Sequence, residues 1–235
     1  TLKKVTTAFV LGAGLGTRLR PYTQKTPKPL LPIQGKPLIC HTFDRLLASG
    51  IQRLIVNTHH CPEQYTETFP AGHYRDIPIT FRYEPELLET GGGLKNIEDL
   101  IDPEQPLLVH NGDILTDLPL QQLIDAHDAE KSEVTLALRT SGEPRNVMLA
   151  EDGTIQDFRQ TLLPDQTGNT LYTGIGIFEP IHLDRLTAAK KESLVPIWIE
   201  MIRLNCPPRG IVIDQGIWND IGTVDIYEKI NQTDP

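Results

Sequence analysis

Arg18, Arg20, Lys25 and Lys28 crowd positive charge into one short stretch of a 235-residue chain whose formal net charge is -9. They follow a glycine run, Gly12-Ala13-Gly14-Leu15-Gly16-Thr17, which itself follows the apolar, β-prone segment Thr7–Leu11. Glycines at such a point end a first strand and open a loop, and without Cβ atoms their backbone N–H groups can close on an anion. Pro21, Pro27, Pro29 and Pro32 forbid a long uninterrupted helix beyond the glycines. An extended, basic, proline-stiffened loop of this kind suits the grip of a polyphosphate, as in a nucleoside triphosphate.

Two carboxylates far apart in the chain offer a second chemistry. Asp113, in Asn111-Gly112-Asp113, lies just beyond the apolar run 106–110, and Asp220, in Trp218-Asn219-Asp220, follows the apolar run 211–214 and a turn at Gly216. Taken singly, each reads equally as a turn residue or a helix cap. Together they form a candidate pair for Mg²⁺, a hard ion that commonly takes one or two carboxylates plus substrate phosphates. Bringing two such groups to 4 Å without a cation costs about 4 kcal/mol at an effective dielectric of 20.

Short apolar runs alternating with helical patterns must position these groups. Runs end at Leu11, Asn57, Tyr83 and His110, with later ones at 134–139 and 210–214; helical patterns cover 38–48, 63–69, 93–101, 118–130 and 223–231. The pattern predicts an α/β fold, a Rossmann-like α/β/α sandwich on a mixed, mostly parallel sheet. Between Arg139 and Phe178, Gly142, Gly153 and Gly168 punctuate shorter strands, predicting a small antiparallel addition. Ligands of open α/β sheets collect beyond the carboxyl ends of the strands, where Asp113 falls.

The glycine run alone is weak evidence, since ordinary tight turns and dinucleotide loops use it too. A dinucleotide loop needs a helix starting within the glycines and an acidic residue about 20 positions on, at the end of the second strand. Here prolines follow, and the run 53–57 ends in Asn. A P-loop would need Gly-Lys-Ser/Thr, which is absent.

The run Leu11 through Pro21, continued by Pro27-Lys28-Pro29-Leu30-Leu31-Pro32, resembles the signature of the sugar-1-phosphate nucleotidyltransferases. Leu88-Glu89-Thr90-Gly91-Gly92-Gly93, Asn111-Gly112-Asp113, Thr173-Gly174-Ile175-Gly176 and Trp218 through Thr223 follow that family's order, so the resemblance covers nearly the whole chain. It implies a reaction of a sugar 1-phosphate with a nucleoside triphosphate, giving a nucleotide sugar and pyrophosphate, with Mg²⁺ as cofactor. Arg18 would lie against the triphosphate and Lys28 would reach the reacting phosphates as the catalytic cations; Asp113 and Asp220 would hold the metal. Arg20 and Lys25 stay open as solvated charges. Leu11, Gly12, Ala13, Gly14, Gly16, Thr17, Glu84, Thr90 and Gly91 would bind the nucleotide, and Asn111, Asp157 and Gly174 the sugar. No protein nucleophile is needed, because a phosphate monoester with a second pKa near 6 is already largely ionised at neutral pH.

Substrate identity is less determined. Glu84 stands where many relatives have Gln, and a carboxylate only accepts hydrogen bonds, so it suits a uracil N3–H or a guanine donor edge; UTP and GTP both remain. The sugar motif departs from the family at Asp157-Phe158-Arg159-Gln160, where Arg159 would replace a lysine, and Tyr172 replaces the Asn of N-acetylglucosamine-specific relatives. Within the family the chain looks most like the N-acetylmuramate 1-phosphate uridylyltransferases of cell-wall recycling, with mannose- or heptose-1-phosphate guanylyltransferases as the alternative. A catalytically silent nucleotide-sugar sensor and an unrelated nucleotide-binding module are the readings from other classes. His59 and His60 read as sugar-pocket lining or as surface residues at a strand end.

Composition bounds the rest. With 39% hydrophobic and 23% charged residues, no apolar run approaches the ~20 residues of a membrane span. Cys40, Cys61 and Cys206 are widely spaced, against a disulfide framework or thiolate zinc site. The acidic balance disfavours nucleic-acid polymers and membranes as partners. The expectation is one cytoplasmic domain, 1–235, with a nucleotide-binding half at about 1–117 and a sugar-binding half at about 118–235. Because the chain starts at Thr1 and not at Met, a lost targeting segment stays open.

Overall fold

The structure is a computed structural model that describes residues 3–232. The question about Thr1 lies outside the described residues. In chain order the strands are β1 (Thr7–Leu11), β2 (Pro32–Ile33), β3 (Lys36–Pro37), β4 (Arg53–Thr58), β5 (His73–Tyr74), β6 (Ile77–Tyr83), β7 (Leu107–Asn111), β8 (Ile114–Thr116), β9 (Val134–Arg139), β10 (Val147–Leu149), β11 (Ile155–Phe158), β12 (Leu171–Phe178), β13 (Arg209–Val212) and β14 (Trp218–Asp220). The α-helices are α1 (Leu38–Ala48), α2 (Glu63–Thr68), α3 (Glu89–Lys95), α4 (Leu120–Glu130), α5 (Leu194–Arg203) and α6 (Val224–Gln232).

Eight strands form one sheet in the order β13-β9-β12-β7-β1-β4-β6-β5. β12 runs antiparallel between β9 and β7, and β5 antiparallel at the edge; the other pairings are parallel. Buried apolar residues alternate between the two faces, as a period-2 strand requires. Ala8, Val10, Leu54, Val56 and Leu108 pack with Phe43 of α1, Tyr65 of α2 and Leu123 of α4. Phe9, Ile55, Leu107 and Val109 pack on the opposite face with Leu94 of α3 and Trp198 of α5. This is the expected α/β/α sandwich, with β10 and β11 as a small antiparallel pair beside it. Among the described residues no helix is long and apolar enough to cross a membrane.

Two helices depart from the sequence expectation. The helix expected over 93–101 begins earlier, at Glu89, and ends at Lys95, with a 3₁₀ turn at Glu98–Leu100. The 190–192 segment lies against its first two glycines: Gly91 and Gly92 both donate N–H to the Glu192 carbonyl, and a Cβ on Gly91 would stand 2.9 Å from that oxygen. α5 was not expected at all. Pro196 interrupts its pattern, yet in the first turn a missing N–H costs nothing.

Far from the glycine loop, Glu133 precedes β9 and accepts from Arg185 Nε at 2.6 Å and Nη2 at 2.9 Å, with His182 Nδ1 at 2.8 Å. Burial alone would raise its carboxyl, but His182 and Arg185 outweigh it and hold the pKa at about 2, below the ordinary 4.5. A depressed folded-state value contributes stability that is complete above the unfolded pKa and is lost as pH falls through the folded one. Denaturant unfolding from pH 6 down to ~2 is therefore expected to show a steeper stability loss in the wild type than in Glu133→Gln.

Candidate active site

β1, β4 and β7 end level with one another, because Leu11 is in register with Asn57 on one side and Asn111 on the other. Chain connectivity reverses between β1 and β7, which makes this the crevice where open α/β sheets take ligands. The glycine run leaves β1 here. Gly12 donates its N–H to Asn57 Oδ1 at 2.7 Å, Asn57 Nδ2 donates to Glu84 Oε1 at 2.8 Å, and Leu88 N–H donates to Glu84 Oε2 at 3.1 Å. Glu84 is thus fully buried and fixed, at the wall of a hollow also lined by Leu11, Ala13, Gly14 and Thr90. Asn57 went unnoticed in the sequence except as a strand end. A polar residue closing an apolar parallel strand beside a glycine loop was the available signal.

Two further hollows continue from the first. Gly14, Lys28 and Asp113 line both the first and a second one, where Gly16, Thr17 and Arg18 join them. Arg18 in turn lines the second and a third, together with Gly222; the third also takes in Asn111, Arg159, Gly174, Trp218 and Asp220. The described residues therefore form one cleft with an acidic, buried end at Glu84, a cationic middle and a broad far end.

Asp113 and Asp220 meet in the middle. β8 and β14 pair antiparallel as a two-stranded ribbon with Asp220 opposite Ile114, and Ile221 N–H donates to the Asp113 carbonyl at 3.0 Å. This ribbon closes the gap between two carboxylates remote in sequence. Lys28 Nζ, on a side chain only 9% exposed, lies 2.7 Å from Asp113 Oδ2 and 3.8 Å from Asp220 Oδ1. The second distance is an ion pair but too long for a hydrogen bond, so Asp220 Oδ1 is buried without a hydrogen-bond partner among the described residues. Burial raises the Asp220 pKa first, the Asp113 charge raises it further, and Lys28 and Arg18 oppose them. The Arg18 guanidinium reaches over Gly222, where a Cβ would stand 3.5 Å from Nη2 and 3.4 Å from Asp220 Oδ1.

These donors fit a hard divalent cation. Two carboxylates converge on Lys28, and one carboxylate oxygen is orphaned. Among the described residues no cluster of three or more His, Cys, Asp or Glu side chains forms an all-protein cage. Mg²⁺ needs none, since it usually keeps waters and borrows substrate phosphates.

At the far end, β12 bulges between Tyr172 and Gly176, and Gly174 sits at φ +81° against the Asn111 side chain. A Cβ there would fall 2.6 Å from Asn111 Nδ2. Gly174→Ala is expected to cost about 2–4 kcal/mol from left-handed backbone plus overpacking, and to displace Asn111. Denaturant unfolding of the variant beside the wild type reads the cost, and its crystal structure reads the displacement.

Three residues expected to touch ligand are placed otherwise. Gly12 lines none of these hollows, since Asn57 and Tyr65 crowd it and its N–H is spent on Asn57. Gly91 faces the 190–192 segment, with its N–H on Glu192. Asp157 is buried behind the third hollow: Oδ1 accepts N–H from Phe158, Thr161 and Leu162, and Oδ2 from Leu163, at 2.8–3.2 Å. Its carboxylate is consumed in building the loop that puts Phe158 and Arg159 on the cleft. His59 and His60 also stay off the third hollow, contacting the Glu84 and Thr23 carbonyls.

Comparison with known proteins follows the same lines. The chain is 34% identical over 230 residues to an N-acetylmuramate alpha-1-phosphate uridylyltransferase of Neisseria meningitidis, covering 92% of this chain and 93% of that protein. It is 32% identical over 227 residues to a mannose-1-phosphate guanylyltransferase of Mycobacterium tuberculosis, covering 94% of this chain but 62% of that protein. The chain thus spans about three fifths of the guanylyltransferases it matches. Solved structures share the fold at low identity: HddC of Yersinia pseudotuberculosis at a TM-score of 0.80 and 20% identity, covering 97% of this chain and 99% of that one, and UDP-glucose pyrophosphorylase of Acinetobacter baumannii at 0.80 and 16%, covering 97% and 92%. With the nucleotidyl transferase family model matching residues 7–235, across the glycine loop, both aspartates and the lysine between them, the chain belongs to that family.

Proposed function

We propose that the protein joins a sugar 1-phosphate to a nucleoside triphosphate, releasing pyrophosphate. The observation that carries this reading is the meeting of Lys28, Asp113 and Asp220 at the middle of a cleft with room on both sides. The nucleoside would occupy the hollow at Glu84 and Thr90, the triphosphate the glycine loop and Arg18, and the sugar the far hollow. Residues 1–117 would then supply most of the nucleotide site and 118–235 most of the sugar site.

In the reaction the sugar phosphate oxygen bonds to the α-phosphorus as the bond to the leaving pyrophosphate breaks. Both partners are polyanions, so alignment and charge neutralisation supply the catalysis. Lys28, held by Asp113, would present its ammonium to the reacting phosphates, and Arg18 would stabilise charge growing on pyrophosphate. Asp113 and Asp220 would hold Mg²⁺, which when bound neutralises phosphate oxygens and fixes their orientation. The fixed Glu84 would accept from a base N–H.

The favoured pair is UTP with N-acetylmuramate 1-phosphate. Arg159 lines the sugar hollow with no carboxylate paired to it among the described residues, and N-acetylmuramate carries a carboxylate that plain hexoses lack. The Neisseria relative acts in the same direction. One observation favours GTP with a mannose or heptose 1-phosphate: an acceptor-only Glu84 matches the two adjacent donors of guanine. Dependence on nucleoside triphosphates fits a cytoplasmic setting. Pyrophosphate release across a matrix of nucleoside triphosphates and sugar 1-phosphates, with Mg²⁺ present or chelated, tests the reading. UTP with N-acetylmuramate 1-phosphate is expected to be fastest and to stop on chelation. Silence of every pair would overturn catalysis in favour of a sensor.

A further inference from the structure

We propose that His60 is a positioning residue for the reaction, fixing the midpoint of the cationic loop and thereby setting how tightly the triphosphate is held. The inference rests on the reading of that loop as the triphosphate grip. Between β1 and Lys28 the chain forms only short 3₁₀ turns, at Thr17–Leu19 and Tyr22–Gln24. So short a set of local hydrogen bonds cannot hold Arg18 and Lys28 at a set separation. The loop depends on ties to the rest of the fold.

Thr23 is the pivot of those ties. It is 1% exposed and lies five positions from both Arg18 and Lys28. Its Oγ1 donates to the Gly16 carbonyl at 2.7 Å, and a Cβ on Gly16 would stand 2.9 Å from Thr23 Cγ2 and 3.2 Å from Lys28 Cβ. Thr23, the glycine run and Lys28 are therefore packed as one unit. His60 Nε2 lies 2.8 Å from the Thr23 carbonyl. A carbonyl only accepts, so Nε2 carries the proton, and the imidazole is committed to this bond. From the same turn, the Gln64 side-chain amide donates to the Lys25 carbonyl. On the other flank Tyr22 packs on Tyr227 of α6 at 4.9 Å between ring centres and donates to Glu228 Oε1 at 2.7 Å.

His60 thus ties the end of β4, whose Asn57 anchors Gly12, to the loop carrying both catalytic cations. It touches no ligand hollow, so its effect would travel through Thr23. A misplacement of about 1 Å in a charged clamp can cost ~10²-fold in rate, and a loop left to order itself on binding loses affinity.

The test is binding and kinetics of the full chain with His60→Ala and His60→Gln, using UTP, GTP and the nucleosides uridine and guanosine as probes. His60→Ala is expected to raise the triphosphate KM roughly 10-fold and lower kcat, with the KM for sugar 1-phosphate within about twofold. Nucleoside binding at Glu84 should stay at the wild-type level. The glutamine amide can donate to the same carbonyl, so His60→Gln should recover most of the loss. Unchanged triphosphate affinity in His60→Ala overturns the inference, as does an equal loss of nucleoside and triphosphate binding, or a glutamine variant no better than alanine. Should the wild type bind no nucleoside triphosphate, the functional reading fails with it; binding that is insensitive to His60 sinks this inference alone.

Discussion

Asp113→Asn is expected to lower metal-dependent turnover by ~10³-fold or more, in line with losing a preorganised charge at a phosphoryl-type transition state, while leaving the fold intact. The substitution keeps the shape and the partly buried position of the side chain, which is 35% exposed. An asparagine Oδ1 can still accept from Lys28 Nζ, which now bonds Asp113 Oδ2 at 2.7 Å. The backbone tie to Ile221 uses the Asp113 carbonyl and is untouched. What disappears is one negative charge facing Asp220, and with it the site's demand for a cation. Pyrophosphate release at saturating Mg²⁺, read beside thermal unfolding, separates the two. A folded variant keeping more than about a tenth of wild-type turnover would remove Asp113 from the reacting centre.

Lys28→Ala is expected to show the converse pattern: turnover down ~10²–10³-fold, lower stability in chelator, and a larger stabilisation by Mg²⁺ than in the wild type. The ammonium is buried and spans both carboxylates. Its removal leaves Asp113 and Asp220 repelling one another, with the orphaned Asp220 oxygen still more exposed to that field. A divalent ion then replaces the lost charge, and binding only to the folded state stabilises by about 2.7 kcal/mol at 100-fold over Kd. For a chain of this size that is a rise of roughly 5–10 °C. Thermal unfolding with and without Mg²⁺ checks it. A variant melting like the wild type in chelator, and indifferent to Mg²⁺, would show that the two aspartates do not share a cation site.

The chemistry of the cleft was legible because it rests on residue types placed at strand ends. Glycines after Thr7–Leu11, cations among prolines and an aspartate beyond 106–110 each state a local conformation and a local charge, and a single strand or loop satisfies both. α1 and α4 were legible for the same reason, since an 11-residue amphipathic stripe needs no distant partner to be recognised. The start of α3 falls four residues before the expected 93 because the 190–192 backbone packs on Gly91 and Gly92, where it makes glycine a steric requirement of the helix.

By itself the sequence determined the fold class, the basic, proline-stiffened loop after the first strand and the two acids that follow apolar runs. Tertiary structure alone decided which polar groups were free to act. Asp157 is an acid in the stretch that departs from the family motif, and four backbone amides of its own loop consume it; Gly12 and Gly91 are spent on Asn57 and Glu192; His60 is drawn to Thr23 and away from any ligand hollow. The reason is that a hydrogen-bonding group is satisfied by whatever the fold brings within about 3 Å. For Asp113 and Asp220 that meeting is made by a two-stranded ribbon joining segments more than a hundred residues apart, which no local pattern encodes.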